Sequence, residues 1–259
     1  MLLKRICTLC YNQSNNKIAL ELMHLIERNY YSGGVIMSDN KAKSVVEFYL
    51  MCNKLKSLIR TGWKDWNVQA DRLESVAEHI YGVQMLALAM KSQYQYNIDI
   101  DKVIKMLAVH ELEEIYIGDL TLFQISKEEK DLLGHQAVSK VLKGLIDKDE
   151  INSLIVEFDG RQTAEAKFAY QCDKLECDLQ SRVYDSTADI PLDADSQINN
   201  SAFLNKDVQN YLAQGKSFSE MWMEFGRGRY PYDSNFMEVS STAEKMDFYS
   251  LSEDIGLEK

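Results

Sequence analysis

Apolar residues recur every three or four positions along most of this chain, which is the spacing that amphipathic helices produce. Two prolines and twelve glycines are all that interrupt a sequence of 259 residues. The pattern predicts helices at about 40–58, 75–95, 101–116, 127–146, 149–157, 163–185 and 205–225. Long periodic stretches with so few breakers favour an all-α protein over a β-sandwich or a β-barrel.

The same pattern divides the chain into three parts. Residues 1–36 stand apart, because the sequence SGGV at 32–35 breaks a short apolar stretch before the main run begins. We expect this N-terminal extension to be poorly ordered. The helical domain is predicted to span 37–235 and to be followed by a C-terminal tail at 236–259. The polar segment 185–202 is predicted to form a surface loop.

Composition narrows the range of partners. The formal net charge of −11 disfavours nucleic-acid polymers and anionic membranes, because both bind basic surfaces. No apolar run reaches the roughly 18 residues that span a bilayer. Five cysteines without framework spacing favour a reducing cytoplasmic location. Cys7 and Cys10 form a CxxC pair that we interpret as incidental rather than as a redox or zinc motif.

One histidine is predicted at the start of the helix over 75–95. Ser75 and Glu78 have the spacing of a capping box, which places His79 in the first turns. His79 shares a helical face with Val83 and Met90 and therefore faces the core. Taken alone, a histidine there is more often a core residue with a hydrogen-bonding partner than part of a functional site.

Ionisable residues interrupt the next apolar stripe, in the sequence AVHELEEIYIGDLT at 108–121. Val103 and Leu107 set an apolar helical face. Continuing that face by threes and fours reaches His110, Glu111 and Glu114. Burying charge is costly unless the charged group is paired or bound to a metal ion, so these side chains need partners.

The two other acids of this stretch are predicted to lie elsewhere. Glu113 falls on a different helical face and is expected to be solvated, whereas Gly118 ends the helix and leaves Asp119 on the rim. Asp173 lies at the edge of another apolar stripe, in the helix over 163–185. His79, His110, Glu111 and Asp173 together form a nitrogen and oxygen ligand set that suits Mn, Co, Fe, Ni or Zn. A helical-bundle core is a common place for such a site.

At these residues the sequence resembles the HD-domain phosphohydrolases, in which a first histidine is followed by a His-Asp pair and a distant aspartate. Four blocks are similar to those of the 5'-deoxynucleotidases of the YfbR-like and HD-domain-containing protein 2 types. The blocks are RTGW at 60–63, ESVAEH at 74–79, GDLT at 118–121 and AEAKFAYQCDKLE at 164–176. The resemblance runs from about residue 40 to about 230. It implies an HD-domain helical bundle with one divalent transition metal ion between its helices.

The implied activity is that of a phosphoric monoester hydrolase that converts deoxyribonucleoside 5'-monophosphates to deoxynucleosides and phosphate. Arg60 resembles the phosphate-binding arginine of this family, and Trp63 resembles the tryptophan that crowds the sugar 2' position. Asp119 would bind the 3' hydroxyl group. Glu114 would be the catalytic carboxylate, with Asp119 as the alternative. The structural explanations left open are a surface ion pair for Arg60, a core aromatic for Trp63 and a hydrogen-bonding partner of His110 for Glu114.

One position departs from the family pattern. Glu111 stands where the family has aspartate, and its extra methylene moves the carboxylate by about 1.5 Å. Metal binding and a degenerate site that has kept only the fold both remain open. Lys174 follows Asp173 and is interpreted as solvated. The aromatic residues of the segment 215–233 have helical spacing, which we interpret as core packing or a dimer face rather than as a nucleotide platform.

Two other functions share these features. An HD-type phosphodiesterase or signalling-nucleotide hydrolase would use the same metal ligands, but it needs a pocket for a second phosphate or base, and the sequence shows no further basic cluster. A non-catalytic helical nucleotide-binding protein is favoured only if Glu111 prevents metal binding. All three bind a small nucleotide, and a homodimer is compatible with each of them.

Overall fold

The computed structural model describes residues 41–121 and 123–256. The predicted N-terminal extension and its CxxC pair lie outside this range. In chain order the helices are α1 (Lys41–Asn53), α2 (Thr61–Asp65), α3 (Val76–Tyr94), α4 (Ile100–Val109), α5 (Glu114–Ile117), α6 (Lys127–Val141), α7 (Lys148–Gly160), α8 (Ala164–Thr187), α9 (Lys206–Ala213), α10 (Phe218–Arg227), α11 (Ser234–Lys245) and α12 (Phe248–Asp254). The predicted all-α class is confirmed, since extended pairing in the described residues is limited to two isolated bridges.

Helix α8 is the central element of the bundle. It packs against α3, α4 and α7 on one side and against α10, α11 and α12 on the other. This central position explains its burial pattern, because apolar and polar side chains alike are buried along most of its length. A helix that is covered nearly all round must find internal partners for its acidic residues. Asp173, Glu176 and Asp178 are the acidic residues concerned.

Two of the predicted helices are each divided in the structure. The predicted helix over 101–116 becomes α4 and α5, which are separated by a turn at residues 110–113. The predicted helix over 205–225 becomes α9 and α10. Gly215, with a φ of 78°, ends the first of these. Ser217 then starts the second with a capping box to Glu220, a signal that the continuous apolar periodicity hides.

The predicted surface loop at 185–202 is anchored by buried amides. Gln197 is 1% exposed and donates hydrogen bonds to the carbonyl oxygens of Trp66 and Pro191. Asn200, also 1% exposed, donates to the side-chain oxygen of Gln197. The polar sequence therefore supplies hydrogen bonds to backbone groups that would otherwise be buried without partners.

Helical packing continues past residue 235, where the sequence pattern placed a tail. Helix α11 is capped by Asp233 and packs against α8, and its Phe236 is fully buried against Phe168 and Tyr96. The described helices include none that is long and apolar enough to cross a membrane.

Because α11 contributes a fully buried ring to the core, Phe236→Ala should lower the free energy of unfolding by about 3–5 kcal/mol. Chemical denaturation measures this loss. Ile255→Ala is the matched control, because Ile255 is 71% exposed, and it should change the free energy of unfolding by less than about 0.5 kcal/mol. Equal stabilities of the two variants would show that α11 is dispensable to the fold.

Candidate active site

His79 is fixed in orientation by an acid on the central helix. The capping box of Ser75 and Glu78 starts α3 and leaves His79 buried in its first turn. Its Nδ1 lies 2.6 Å from Glu176 Oε2, and since a carboxylate accepts, Nδ1–H is the donor. Gly82 makes room for this acid, because a Cβ there would lie 2.6 Å from Glu176 Oε1. The Nε2 atom of His79 therefore faces the opposite way, toward the interior of the site.

His110 is oriented in the same way by a backbone carbonyl. It follows the last residue of α4, and its Nδ1–H donates to the carbonyl oxygen of Leu107 at 2.7 Å. A carbonyl oxygen only accepts, so Nε2 of His110 is the unprotonated nitrogen of the neutral ring. Burial lowers the pKa of His110 and favours that neutral form. Neither His79 Nε2 nor His110 Nε2 has a hydrogen-bonding partner among the described residues.

Two carboxylates complete this cluster. Asp173 Oδ1 lies 3.2 Å from His79 Nε2, and Glu111 Oε1 lies 3.7 Å from His79 Nε2 and 3.5 Å from His110 Nε2. One ligand atom from each of these four buried residues lies within 4.8 Å of the others. Unpartnered nitrogens facing carboxylate oxygens in a closed space fit a divalent metal ion. We call this set the metal cluster.

The charges around the cluster favour a cation. Burial and the charge of Arg60 act to lower the pKa of His79, but the carboxylates of Glu176 and Asp173 outweigh them and raise it to about 9. Burial raises the pKa of Glu111, but the neighbouring charges of His110, Lys130 and Arg60 outweigh burial and lower it to about 2. A site that stabilises a proton on imidazole beside ionised carboxylates also attracts a metal ion.

Glu114 lies beside the metal cluster and outside its ligand set. It is 1% exposed, and neither of its oxygens has a hydrogen-bonding partner among the described residues. Lys130 Nζ lies 3.7 Å from its Oε1. Burial, followed by the charges of Glu111 and Asp119, raises the pKa of Glu114 well above the usual range. A carboxyl group with a raised pKa in a cavity is suited to proton transfer.

Two residues that the sequence analysis took as solvated lie in the cavity wall instead. Glu113 is half-buried against Gly134 of α6, and burial together with Glu111 raises its pKa to about 8. Lys174 Nζ forms an ion pair with Asp173 Oδ2 at 2.9 Å. Lys174 therefore pairs with the Asp173 oxygen that does not face His79. The helical pattern missed both because their burial depends on neighbouring helices.

Arg60 is placed beside the cluster by backbone pairing. Its N–H donates to the carbonyl oxygen of Glu74 at 2.9 Å, next to the bridge between Ile59 and Ser75 at the start of α3. Its Nη1 lies 3.6 Å from Glu111 Oε1 and 3.8 Å from Asp119 Oδ1. A surface ion pair was the structural explanation left open for Arg60. In the structure Arg60 does form ion pairs, but they are largely buried.

Asp119 is held by Thr61 at the start of α2, and Trp63 within α2 is held by Glu74 and Trp222. Asp119 Oδ2 accepts from the N–H of Thr61 at 2.6 Å, and the Thr61 hydroxyl donates to the Asp119 carbonyl oxygen at 2.6 Å. Trp63 is 1% exposed, and its Nε1–H donates to Glu74 Oε2 at 2.7 Å. Its ring stacks on Trp222 with centroids 4.8 Å apart. Their roles toward a sugar stay predictions.

All the predicted site residues except His79 line one cavity of about 530 Å³. This volume lies in the range of small-molecule sites. Residues of this region that the sequence analysis did not single out include Glu176, Lys130 and Arg161. Glu176 lies one helical turn beyond Asp173, and that spacing could have identified it. No local signal marks Lys130 or Arg161.

Comparison with known proteins places this fold and site in a family. The family model described as HD domain matches residues 52–211. The chain therefore belongs to the HD-domain family. The structure of the PH0347 protein from Pyrococcus horikoshii OT3 is similar in fold, with a TM-score of 0.54 at 24% identity over 78% of this chain and 99% of that one.

Several curated relatives of this chain are named 5'-deoxynucleotidase. The 5'-deoxynucleotidase HDDC2 of Homo sapiens is 32% identical over 151 residues, which cover 57% of this chain and 72% of the human protein. The protein of the same name from Dictyostelium discoideum is 36% identical over 54% of this chain and 77% of its own length. The 5'-deoxynucleotidase hdd1 of Schizosaccharomyces pombe is 27% identical over 69% of this chain and 89% of its own length.

The metal cluster predicts that purified protein retains a divalent metal ion and that His110→Ala loses it, because that change deletes one of two unpartnered imidazole nitrogens. Elemental analysis measures this. His135→Ala is the matched control, since His135 pairs with Asp159 at the exposed rim of the cavity, and it should keep the ion. Equal metal content in the wild type and His110→Ala would contradict the assignment.

Proposed function

We propose that this protein is a metal-dependent phosphohydrolase acting as a 5'-deoxynucleotidase, which hydrolyses deoxyribonucleoside 5'-monophosphates to deoxynucleosides and phosphate. The observation that carries the proposal is the close grouping of three features in one cavity. These are the four ligand atoms of the metal cluster, the Arg60 guanidinium beside Glu111, and the buried carboxyl group of Glu114. The curated relatives named 5'-deoxynucleotidase support the same substrate class.

His79, His110, Glu111 and Asp173 would hold one divalent ion, and their mixed nitrogen and oxygen donors suit Mn, Co, Fe, Ni or Zn. When bound, the ion supplies positive charge that screens the phosphate and lowers the pKa of water. Glu176 and the Leu107 carbonyl oxygen keep the two imidazole rings in the orientation that this binding needs.

Arg60 binds the phosphate group in this proposal. Its guanidinium is planar and can donate two parallel hydrogen bonds to phosphate oxygens. Glu111 and Asp119 hold it from the protein side, at 3.6 Å and 3.8 Å from Nη1. Positioning by these two acids fixes the arginine before the substrate arrives, which lowers the entropy that binding must remove.

Glu114 moves the proton. Its raised pKa makes the ionised carboxylate a stronger base, so it can accept a proton from the water that attacks phosphorus. As the bond between phosphorus and the 5' oxygen breaks, the same carboxyl group donates that proton to the leaving oxygen. The proton of the water thus ends on the 5' alcohol and its hydroxyl group on the phosphate, and Glu114 returns to its ionised state. Lys130, 3.7 Å from Glu114 Oε1, stabilises the ionised form.

A second candidate function gains support from three further cations. Lys130, Arg161 and Lys174 all line the cavity with Arg60, although the sequence alone showed no additional basic cluster. Positive charge beyond one arginine suits a nucleotide that carries more than one phosphate group. A hydrolase of such a signalling nucleotide is therefore the alternative that the experiments must separate.

We also propose a cytoplasmic location and a homodimeric assembly for this protein. The described cysteines Cys52, Cys172 and Cys177 are free thiols, which suits the reducing cytoplasm. Exposed apolar side chains of Tyr81, Met85 and Leu88 recur along one face of α3. That face is suited to the contact between two copies in a homodimer.

Phosphate release from a panel of nucleotides tests the proposed function. Mn, Co, Mg and Zn are added in turn to metal-stripped protein, and the panel contains deoxynucleoside and ribonucleoside 5'-monophosphates, cyclic nucleotides and tetraphosphorylated nucleotides. We expect metal-dependent turnover of the deoxynucleoside monophosphates in preference to the others. Turnover confined to the cyclic or tetraphosphorylated compounds would instead support the alternative, and no turnover with any metal would contradict both.

Glu114→Gln separates proton transfer from metal binding. The change keeps the side-chain volume but removes the proton-transferring carboxyl group, so kcat should fall by about 100- to 10,000-fold while metal content and melting temperature change little. Glu111→Ala should lose metal and activity together. Glu128→Gln, on the exposed face of α6, is the matched control and should retain wild-type kcat. Near-normal turnover of Glu114→Gln, or loss of its metal, would remove the assigned role.

A further inference from the structure

An aromatic wall closes one side of the cavity. It consists of Trp222 and Phe225 from α10 and Phe123 from the segment after α5, and all three residues line the cavity. Trp222 and Phe225 lie beyond residue 211, where the match to the HD-domain model ends. Two of the three wall residues are therefore supplied by a segment outside the HD-domain match, and Phe123 comes from within it.

Trp222 packs against the residues that follow Arg60, the proposed phosphate-binding arginine. Its ring stacks on Trp63 at 4.8 Å with an interplanar angle of 29°, and its edge packs over Gly62. Gly62 and Trp63 follow Arg60 by two and three residues. Trp63 is 1% exposed, whereas Trp222 is only half-buried. Trp222 therefore presents the more accessible indole to the cavity.

Phe225 continues the wall one helical turn later. Its ring centroid lies 6.1 Å from that of Phe123. The guanidinium of Arg229 lies 3.6 Å above the Phe225 ring, and Arg229 is itself paired with Asp207 at 2.8 Å. These contacts hold the phenyl ring in place from outside the cavity.

The cavity thus has one charged part and one aromatic part, as a nucleotide has a phosphate and a base. We propose that Trp222, Phe225 and Phe123 form the subsite for the nucleobase, with the base stacked on the Trp222 indole. The inference rests on the proposed nucleotidase function and deepens it. Stacking requires only a π face, so this wall accepts different bases. The sequence analysis interpreted all the aromatic residues of the segment 215–233 as core packing or a dimer face. Core packing holds for Phe218 and Met221, which are 1% exposed, whereas Trp222 and Phe225 line the cavity.

Trp222→Leu tests the subsite by comparing two substrates with the same reacting group. A deoxynucleoside 5'-monophosphate carries the base, and 2-deoxyribose 5-phosphate lacks it. Wild-type protein should prefer the nucleotide in kcat/KM. The preference should fall by about 5- to 150-fold in Trp222→Leu, the range expected for one stacked base, and most of the change should appear in KM.

Phe203→Leu is the matched control. Phe203 packs against Trp66 in the same aromatic cluster but does not line the cavity. Its substitution should leave the preference for the nucleotide at the wild-type value. Phe225→Leu is measured in parallel, so that a folding defect in Trp222→Leu leaves a second variant of the wall, and its preference should fall in the same direction. Circular dichroism and melting temperature establish which variants are folded.

Direct binding provides a readout that does not depend on turnover. Calorimetry with a non-hydrolysable deoxynucleoside 5'-phosphonate should show weaker binding to folded Trp222→Leu and Phe225→Leu than to Phe203→Leu. Equal binding by all three, or an unchanged substrate preference in both wall variants, would overturn the base subsite. Failure of the proposed function has a different signature, namely no phosphate release from either substrate by the wild type.

Discussion

The hydrogen bond between His79 Nδ1 and Glu176 Oε2 is the contact on which the rest of the site depends. It joins α3 to the central helix α8 at 2.6 Å, in space that Gly82 leaves open. Because Nδ1 is used, Nε2 must face the other way, where Asp173 Oδ1 lies at 3.2 Å. Asp173 is one turn from Glu176 on the same helix, so a single helix both orients the first imidazole and supplies its neighbouring acid.

The sequence could predict His79 and Asp173 because both lie within long, regular helices. Periodicity alone determines which face of such a helix is buried. The burial of His110 and Glu111 could be predicted for a different reason. The chain leaves α4 at Val109, but His110 keeps a helix-like backbone, with φ and ψ of −66° and −17°. Extrapolating the helical face by one more turn therefore still reached the buried side chains.

Other residues of the cavity could not be predicted from local pattern. Glu113 is half-buried against Gly134 of α6, and Lys130 reaches Glu114 from that same helix. Lys174 is held by Asp173 and lies above the rings of Tyr170 and Tyr230. Each of these placements depends on how two or more helices pack. A lysine on one helical face looks solvated until its long side chain is seen to follow the wall of a cavity.

Although the net charge of the protein is −11, several basic side chains line this cavity. The reason lies in the acids that the fold buries there. Glu111, Glu114 and Asp173 have little access to water, and burial without compensation would be costly for each ionised carboxylate. Arg60, Lys130 and Lys174 supply that compensation. Acidic side chains still outnumber basic ones in the cavity lining, so these cations offset the buried acids and do not make the cavity positive.

Glu111 shows how one departure from the family pattern fits the site. Its longer side chain starts from the turn at 110–113 and brings Oε1 within 3.7 Å of three groups, the two imidazole Nε2 atoms and Arg60 Nη1. Glu111 therefore stays among the four residues that could hold a metal ion. It also connects the metal cluster to Arg60. Since Glu111 contacts both groups, a change in the charge at the metal cluster also changes the electrostatic environment of the Arg60 guanidinium.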